Sequence, residues 1–162
     1  MSLAISPATS SHETFIISNW INTYRASDQS GLYAMDDKES RERTWNHWWW
    51  TFEVILRRPT TRALIAHGKG EPDAYRGFIV FDRSERIPLV YYVLVKELYR
   101  RAGHARALFA AAGIDPRRQF FYGCRTPVVL QIAARRKIPA AKLDANWARY
   151  GKPLLSKERA NG

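Results

Sequence analysis

The 162-residue sequence contains one cysteine, Cys124. A single thiol permits no intrachain disulfide and no cysteine zinc cage. A reducing interior is then the simpler setting. Histidine is scarce too, and His47, His67 and His104 show no ligand spacing, so no metal centre is expected. The opening MSLAISPATSSHE has neither a basic start nor an apolar run and does not read as a secretory leader. No apolar stretch approaches the length that spans a bilayer, and there is no internal repeat or low-complexity block. The expectation is a cytoplasmic protein without a membrane partner. Acidic residues are also few. Fifteen Asp and Glu face 26 Lys and Arg, for a net charge of +11, and that excess suits nucleic acid or a smaller anionic ligand.

What is present is enough apolar material to fold. Hydrophobic residues make up 46% of the chain, which supports one domain with its own core. Residues 1–12 read as a flexible arm, 13–151 as the folded domain and 152–162 as a loose tail. Phe15-Ile16-Ile17 suits either a first strand or the entry to a helix, and the apolar positions at 17, 20, 21 and 24 have helical spacing. Residues Ser27 to Lys38 read as a loop. Trp45, Trp48, Trp49, Phe52 and Leu56 then fall on one face of a helix over Glu39–Arg58, which Pro59 ends. The Trp-rich run reads as a core face, with Trp50 alone off the stripe.

After Pro59 the period becomes strand-like. Strands are expected over Arg62–His67, Tyr75–Phe81 and Leu89–Val95, joined by short turns as an antiparallel meander. Gly77 marks a place where another backbone comes close. A helix over Ala105–Ala112 ends at Gly113. A strand over Gln119–Cys124 and a helix over Val128–Lys137 follow, the helix with Pro127 in its first turn. Leu143–Tyr150 suits a last strand or a short helix.

The organising stretch runs from Leu89 to Phe109: a buried strand, a loop carrying Arg100-Arg101-Ala102-Gly103-His104-Ala105, then a helix. A glycine-containing loop that feeds a helix N-terminus aims several N–H groups at one place, where the helix dipole is positive. Such a turn suits a phosphate-bearing ligand.

This segment, with an aromatic–Arg pair at Tyr99-Arg100 and an R-x-x-G-x-A pattern at Arg100, Gly103 and Ala105, resembles the GCN5-related N-acetyltransferase (GNAT) superfamily. Leu108 matches the apolar helix position of that pattern. The element order over roughly Phe15 to Lys137 matches as well. The resemblance implies an α+β fold: one domain with a central mixed, mostly antiparallel sheet flanked by helices. It also implies an acyltransferase with acetyl-CoA as co-substrate and an unidentified amine as acceptor. The CoA diphosphate would lie on the main chain of Arg101 to Ala105, with Ala102, Gly103 and His104 in the turn and Arg100, Arg101 and Arg106 supplying charge. The pantetheine arm would pair with the strand edge at Leu94 and Val95, beside an irregularity in that strand.

Two groups common in the superfamily are missing. Leu89-Val90-Tyr91-Tyr92-Val93 carries no carboxylate to act as base. The helix after the next strand carries no tyrosine to protonate the leaving thiolate. Tyr91, Tyr92, Tyr122 and Cys124 stand as substitutes, or the amine arrives neutral and positioning suffices. The alternatives are a member of the same fold that acts on or binds nucleic acid, through base or transfer-RNA modification as in some phage-encoded relatives, and a basic binding module without catalysis.

Overall fold

The computed structural model describes residues 2–26, 38–124 and 126–137. Five strands form one sheet in chain order: β1 (Leu3–Pro7), β2 (Thr61–Gly68), β3 (Glu71–Asp82), β4 (Leu89–Val95) and β5 (Phe121–Tyr122). Neighbours are antiparallel except β4 and β5, which are parallel. The helices are α1 (Glu13–Ala26), α2 (Lys38–Leu56), α3 (His104–Ala111) and α4 (Pro127–Arg135). The expected α+β class, a mixed and mostly antiparallel sheet flanked by helices, is what the chain adopts.

The sheet divides two apolar layers. On one face, Ile16, Ile17, Trp20 and Ile21 of α1 and Phe52 and Ile55 of α2 meet Ile65, Phe78, Val80, Tyr91 and Tyr92. Trp20 stacks on Phe52 with ring centroids 4.1 Å apart, a contact of about 1 kcal/mol beyond its buried area. Trp45, Trp48 and Trp49 pack against this layer and Trp50 is 39% exposed, as their helical spacing predicts. On the other face, Leu108, Phe109 and Ala112 from α3 and its end and Val129 of α4 cover Ile79, Val90, Val93 and Val95.

Two expectations need correction. Residues 1–12 do not form a loose arm over their described part, because Leu3–Pro7 pairs with Leu64–Gly68 of β2. Three of the five β1 residues are small or turn-prone, so β1 owes its conformation to the ladder that β2 offers rather than to propensity. Of the two forms open to Phe15–Ile17, the entry to a helix is the one adopted, within α1. The expected strand over Gln119–Cys124 shortens to Phe121–Tyr122. The expected loop over Ser27–Lys38 lies outside the described residues except for Lys38, which begins α2, and the element at 143–150 and the tail at 152–162 lie outside them altogether.

The central irregularity lies in β4. Val80 pairs with Tyr92 and Phe81 with Val90, so Tyr91 is an extra residue opposite β3. A bulge of this kind breaks strict alternation. Leu89, Tyr91, Tyr92 and Leu94 accordingly belong to the α1/α2 layer, while Val90, Val93 and Val95 belong to the α3/α4 layer. Gly77 permits the close approach that the sequence suggested: a Cβ there would stand 2.4 Å from the Leu94 carbonyl oxygen. Backbone cannot retreat as a flexible side-chain tip can. Gly77→Val should therefore lower stability by about 2 kcal/mol or more, read as a fall in the urea midpoint at unchanged m-value.

Candidate functional site

The last main-chain rung between β3 and β4 runs from the Lys96 amide to the Arg76 carbonyl at 2.8 Å. A single 3-10 turn, Glu97–Tyr99, follows. The chain then takes left-handed conformations at Arg101 (φ 65°) and Gly103 (φ 82°) before entering α3. Gly103 adopts this region at no steric cost, whereas Arg101 does so at a cost of about 1 kcal/mol. The first amide that α3 uses internally is that of Ala107, which donates to the Gly103 carbonyl at 3.0 Å. Gly103 holds the N-cap position, and no side chain caps the helix. The amides of Gly103, His104, Ala105 and Arg106 therefore remain as donors at a positive helix end. The turn is neither continuous helix nor strand. These helix-end donors overlap the range of Arg101 to Ala105 read from the sequence at residues 103–105 and add Arg106.

A cleft of about 310 Å³ opens over this turn. Val95, Arg100, Arg101, Gly103, His104, Ala105 and Arg106, read from the sequence as one set, all line it. Ala102 is exposed and does not line it, and neither does Leu94. Leu94 sits opposite Phe78, two residues before the Lys96 rung. Antiparallel alternation then commits the Leu94 amide and carbonyl to β3 and turns those of Val93 and Val95 the other way. On that side β5 pairs only with Leu89 and Val90, and Gly123 adds a last bond to the Val90 carbonyl at 2.9 Å. The open edge of β4 is thus Val93 and Val95 in place of Leu94 and Val95. The Val95 carbonyl accepts from Arg100 Nε at 3.3 Å, which ties the turn to the strand end.

Four lining residues on α4 are outside the set read from the sequence, Pro127, Val128 and the polar pair Gln131 and Arg135. Gln131 and Arg135 stand four apart and hence on one face of that helix. The signal was their spacing on a helix whose other face, Val129 and Ala133, is buried.

Beneath the turn lies a small polar stack. The His104 ring is 6% exposed and neither nitrogen has a hydrogen-bond partner. It lies 5.6 Å from the Tyr99 ring, and the Arg76 guanidinium lies 5.1 Å from the same ring. Burial and the nearby Arg76 charge hold the His104 pKa below its ordinary value, against a smaller opposing pull from the Ala102 backbone. His104 is neutral at neutral pH, so the turn's positive field comes from arginines and amides.

The four candidates for catalysis stand elsewhere. Tyr91 accepts from Arg58 Nη1 at 2.9 Å, and burial raises its pKa. Tyr92 donates to the Asn19 carbonyl at 3.2 Å and bonds with the Thr23 hydroxyl, and burial raises its pKa as well. Cys124 packs in the α1/α2 layer, where burial pushes its thiol up to about 12. Tyr122 packs in the opposite layer. None of the four lines the cleft over the turn.

No protein-family model and no curated protein sequence matches the chain. Solved structures do. A ribosomal-protein-alanine N-acetyltransferase from Brucella melitensis biovar Abortus 2308 is 15% identical, with 90% of this chain and 96% of that one covered at a TM-score of 0.51. A Bacillus subtilis protein described as an acetyltransferase, YycN, is 12% identical, with 83% and 90% covered at a TM-score of 0.56. Likeness at such identities is a likeness of fold, and the fold is that of the GNAT superfamily.

The His104 pocket gives a pH dependence of definite sign. Its folded pKa lies below the ordinary 6.5, so below that pH the unfolded chain binds a proton that the folded chain refuses. The contribution to stability is complete above 6.5 and is lost as the pH falls further. Thermal melts from neutral pH down to about 5.5 should show this loss in the native chain and a flatter profile in His104→Phe.

Proposed function

We propose that the chain is a CoA-dependent N-acyltransferase, with acetyl-CoA as donor and an amine as acceptor. The observation that carries this reading is the meeting of three features at one cleft. They are the uncapped amides of Gly103 to Arg106, the arginines 100, 101, 106 and 135, and the β4 edge at Val93 and Val95 left open where β5 departs. The donor set fits a diphosphate, since main-chain N–H groups and guanidinium forks both suit phosphate oxygens. Nothing stands within 4 Å of where a Cβ on Gly103 would lie, so the approach to the turn is open.

Acetyl-CoA supplies an acyl carbon activated as a thioester; a C–N bond to the amine forms, the C–S bond breaks, and the thiol leaves with a proton. The turn's amides and arginines hold the diphosphate end. Val93 and Val95 would orient the arm, and a main-chain amide free at that edge would donate to the thioester carbonyl. The described residues place no carboxylate base at this edge, and Tyr91, Tyr92 and Cys124 all have pKa values raised by burial. The acceptor is therefore read as entering in its neutral form, with positioning as the chain's main contribution. On this reading the rate rises with pH until the acceptor amine has lost its own proton.

Thermal melts with CoA test the reading. CoA at about 100 times its dissociation constant should stabilise the chain by about 2.7 kcal/mol. Gly103→Val should abolish that shift, because a β-branched residue resists the left-handed conformation. Cys124→Ala should keep both the shift and the thiol release measured with a panel of amines. No CoA shift in the native chain would leave the fold in place and remove the activity. A shift without thiol release for any amine would favour a binding module.

A further inference from the structure

The turn does not use up the positive charge on this side of the molecule. A second cleft, of about 890 Å³, shares Arg106 and Arg135 with the first. A third, of about 380 Å³, shares Gly113, Ile114 and Asp115 with the second. The three therefore adjoin, passing from the turn along the outer side of α3 to the β3–β4 hairpin. Arg117 joins the arginines in the middle, and Arg83, Arg86 and Arg118 line the far end. Together the clefts are lined by eight arginines and by only two carboxylates, Glu85 and Asp115. All eight arginines are exposed. Of these eight, only Arg117 has a carboxylate partner among the described residues, Asp115 at 3.1 Å.

We propose that this surface is a docking track for single-stranded nucleic acid. Solubility alone would not call for eight cations against two anions along one connected path. Every cation there is arginine, whose planar fork matches phosphate better than an ammonium does. The track is also anchored to the fold. Arg83 Nη1 donates to the Ala112 carbonyl at 3.2 Å, and a Cβ on Gly113 would stand 2.3 Å from that same nitrogen. Arg136 Nη1 donates to the Arg118 carbonyl at 3.2 Å, which ties the end of α4 to the loop before β5. Arg83, Arg86 and Arg118 line the cleft at the hairpin end, and none of them lines the cleft over the turn. Those arginines have no role in the acyltransferase reading, and the track does not rest on it.

Flexibility selects the kind of strand. The arginines line three successive clefts of about 310, 890 and 380 Å³ over a helix about 12 Å long, so a strand that meets them all must follow one cleft into the next. A duplex, with a persistence length of about 50 nm, does not bend on that scale. A single strand does. Contacts through arginine to phosphate carry little sequence information, so the track should accept many sequences.

Anisotropy of a labelled oligouridylate of about 15 nucleotides, titrated at several salt concentrations, tests the proposal. Neutralising about five phosphates should give a slope of log affinity against log salt near −3.5. The double variant Arg86→Glu/Arg118→Glu, at the end remote from the turn, should weaken binding by about tenfold or more and make the slope shallower by about 1.4. The paired change to lysine at both positions should keep most of the affinity, and both variants should keep the native melting temperature and CoA response. Tight binding unaffected by the Glu pair would overturn the proposal. So would a salt-independent affinity, equal affinity for a duplex of the same length, or stronger binding to anionic phosphatidylserine vesicles. The CoA melts are read separately, so loss of the CoA response with intact strand binding would sink the acyltransferase reading and leave the track.

Discussion

One extra residue in β4 sets the geometry of everything around it. Opposite β3, Tyr91 has no partner of its own. Its insertion puts two adjacent tyrosines in the same apolar layer and shifts the alternation of every residue after them. Ahead of the bulge, Val90 bonds toward β5; beyond it, Leu94 is committed to β3 and Val93 and Val95 face the gap. The same shift explains why β5 pairs for so short a distance. Gly123 sits where a Cβ would lie 2.7 Å from the Tyr91 carbonyl oxygen, so only the bare backbone passes the bulge before the chain departs. Both the opening in the sheet and the main-chain groups that line it follow from this single insertion.

The arginine-rich turn stands at the end of the strand that borders that opening. Arg100 bonds back to the Val95 carbonyl, so the basic turn is held against the strand end that borders the gap. Arg76, 4% exposed by its side chain, lies beneath Tyr99 and helps keep His104 uncharged. A neutral ring there spares the turn a buried imidazolium whose charge would lack a counter-ion. The turn's own arginines lie at the surface, and the interior below holds the Tyr99 and His104 rings with Arg76 beside them.

Much of this was legible in the sequence because it rests on local patterns. The α2 stripe from Trp45 to Leu56, each strand of the meander, the Gly113 stop and the run from Arg100 to Arg106 are each written within a dozen residues or fewer. What the sequence concealed was non-local. β1 carries no strong strand signal, and its order comes from β2, some sixty residues later in the chain. The bulge at Tyr91 leaves no mark in a run of seven apolar or aromatic residues, so Leu94 was taken for an edge residue when Val93 was. Arg135 reached the cleft only because α4 folds back over the turn. Tyr91, Tyr92 and Cys124 attracted attention by their chemistry, yet their surroundings show them filling the core.

The short β1 shields one flank of the sheet. Its five residues satisfy the outer amides and carbonyls of β2, which holds the apolar run Ala63-Leu64-Ile65-Ala66. Stripped of that cover, β2 would present an unprotected rim to the rest of the solution, and chains could join there end over end into insoluble assemblies. The opening residues thus act as a guard against self-association, and a fusion tag or trimming that unseats Leu3–Pro7 would remove it.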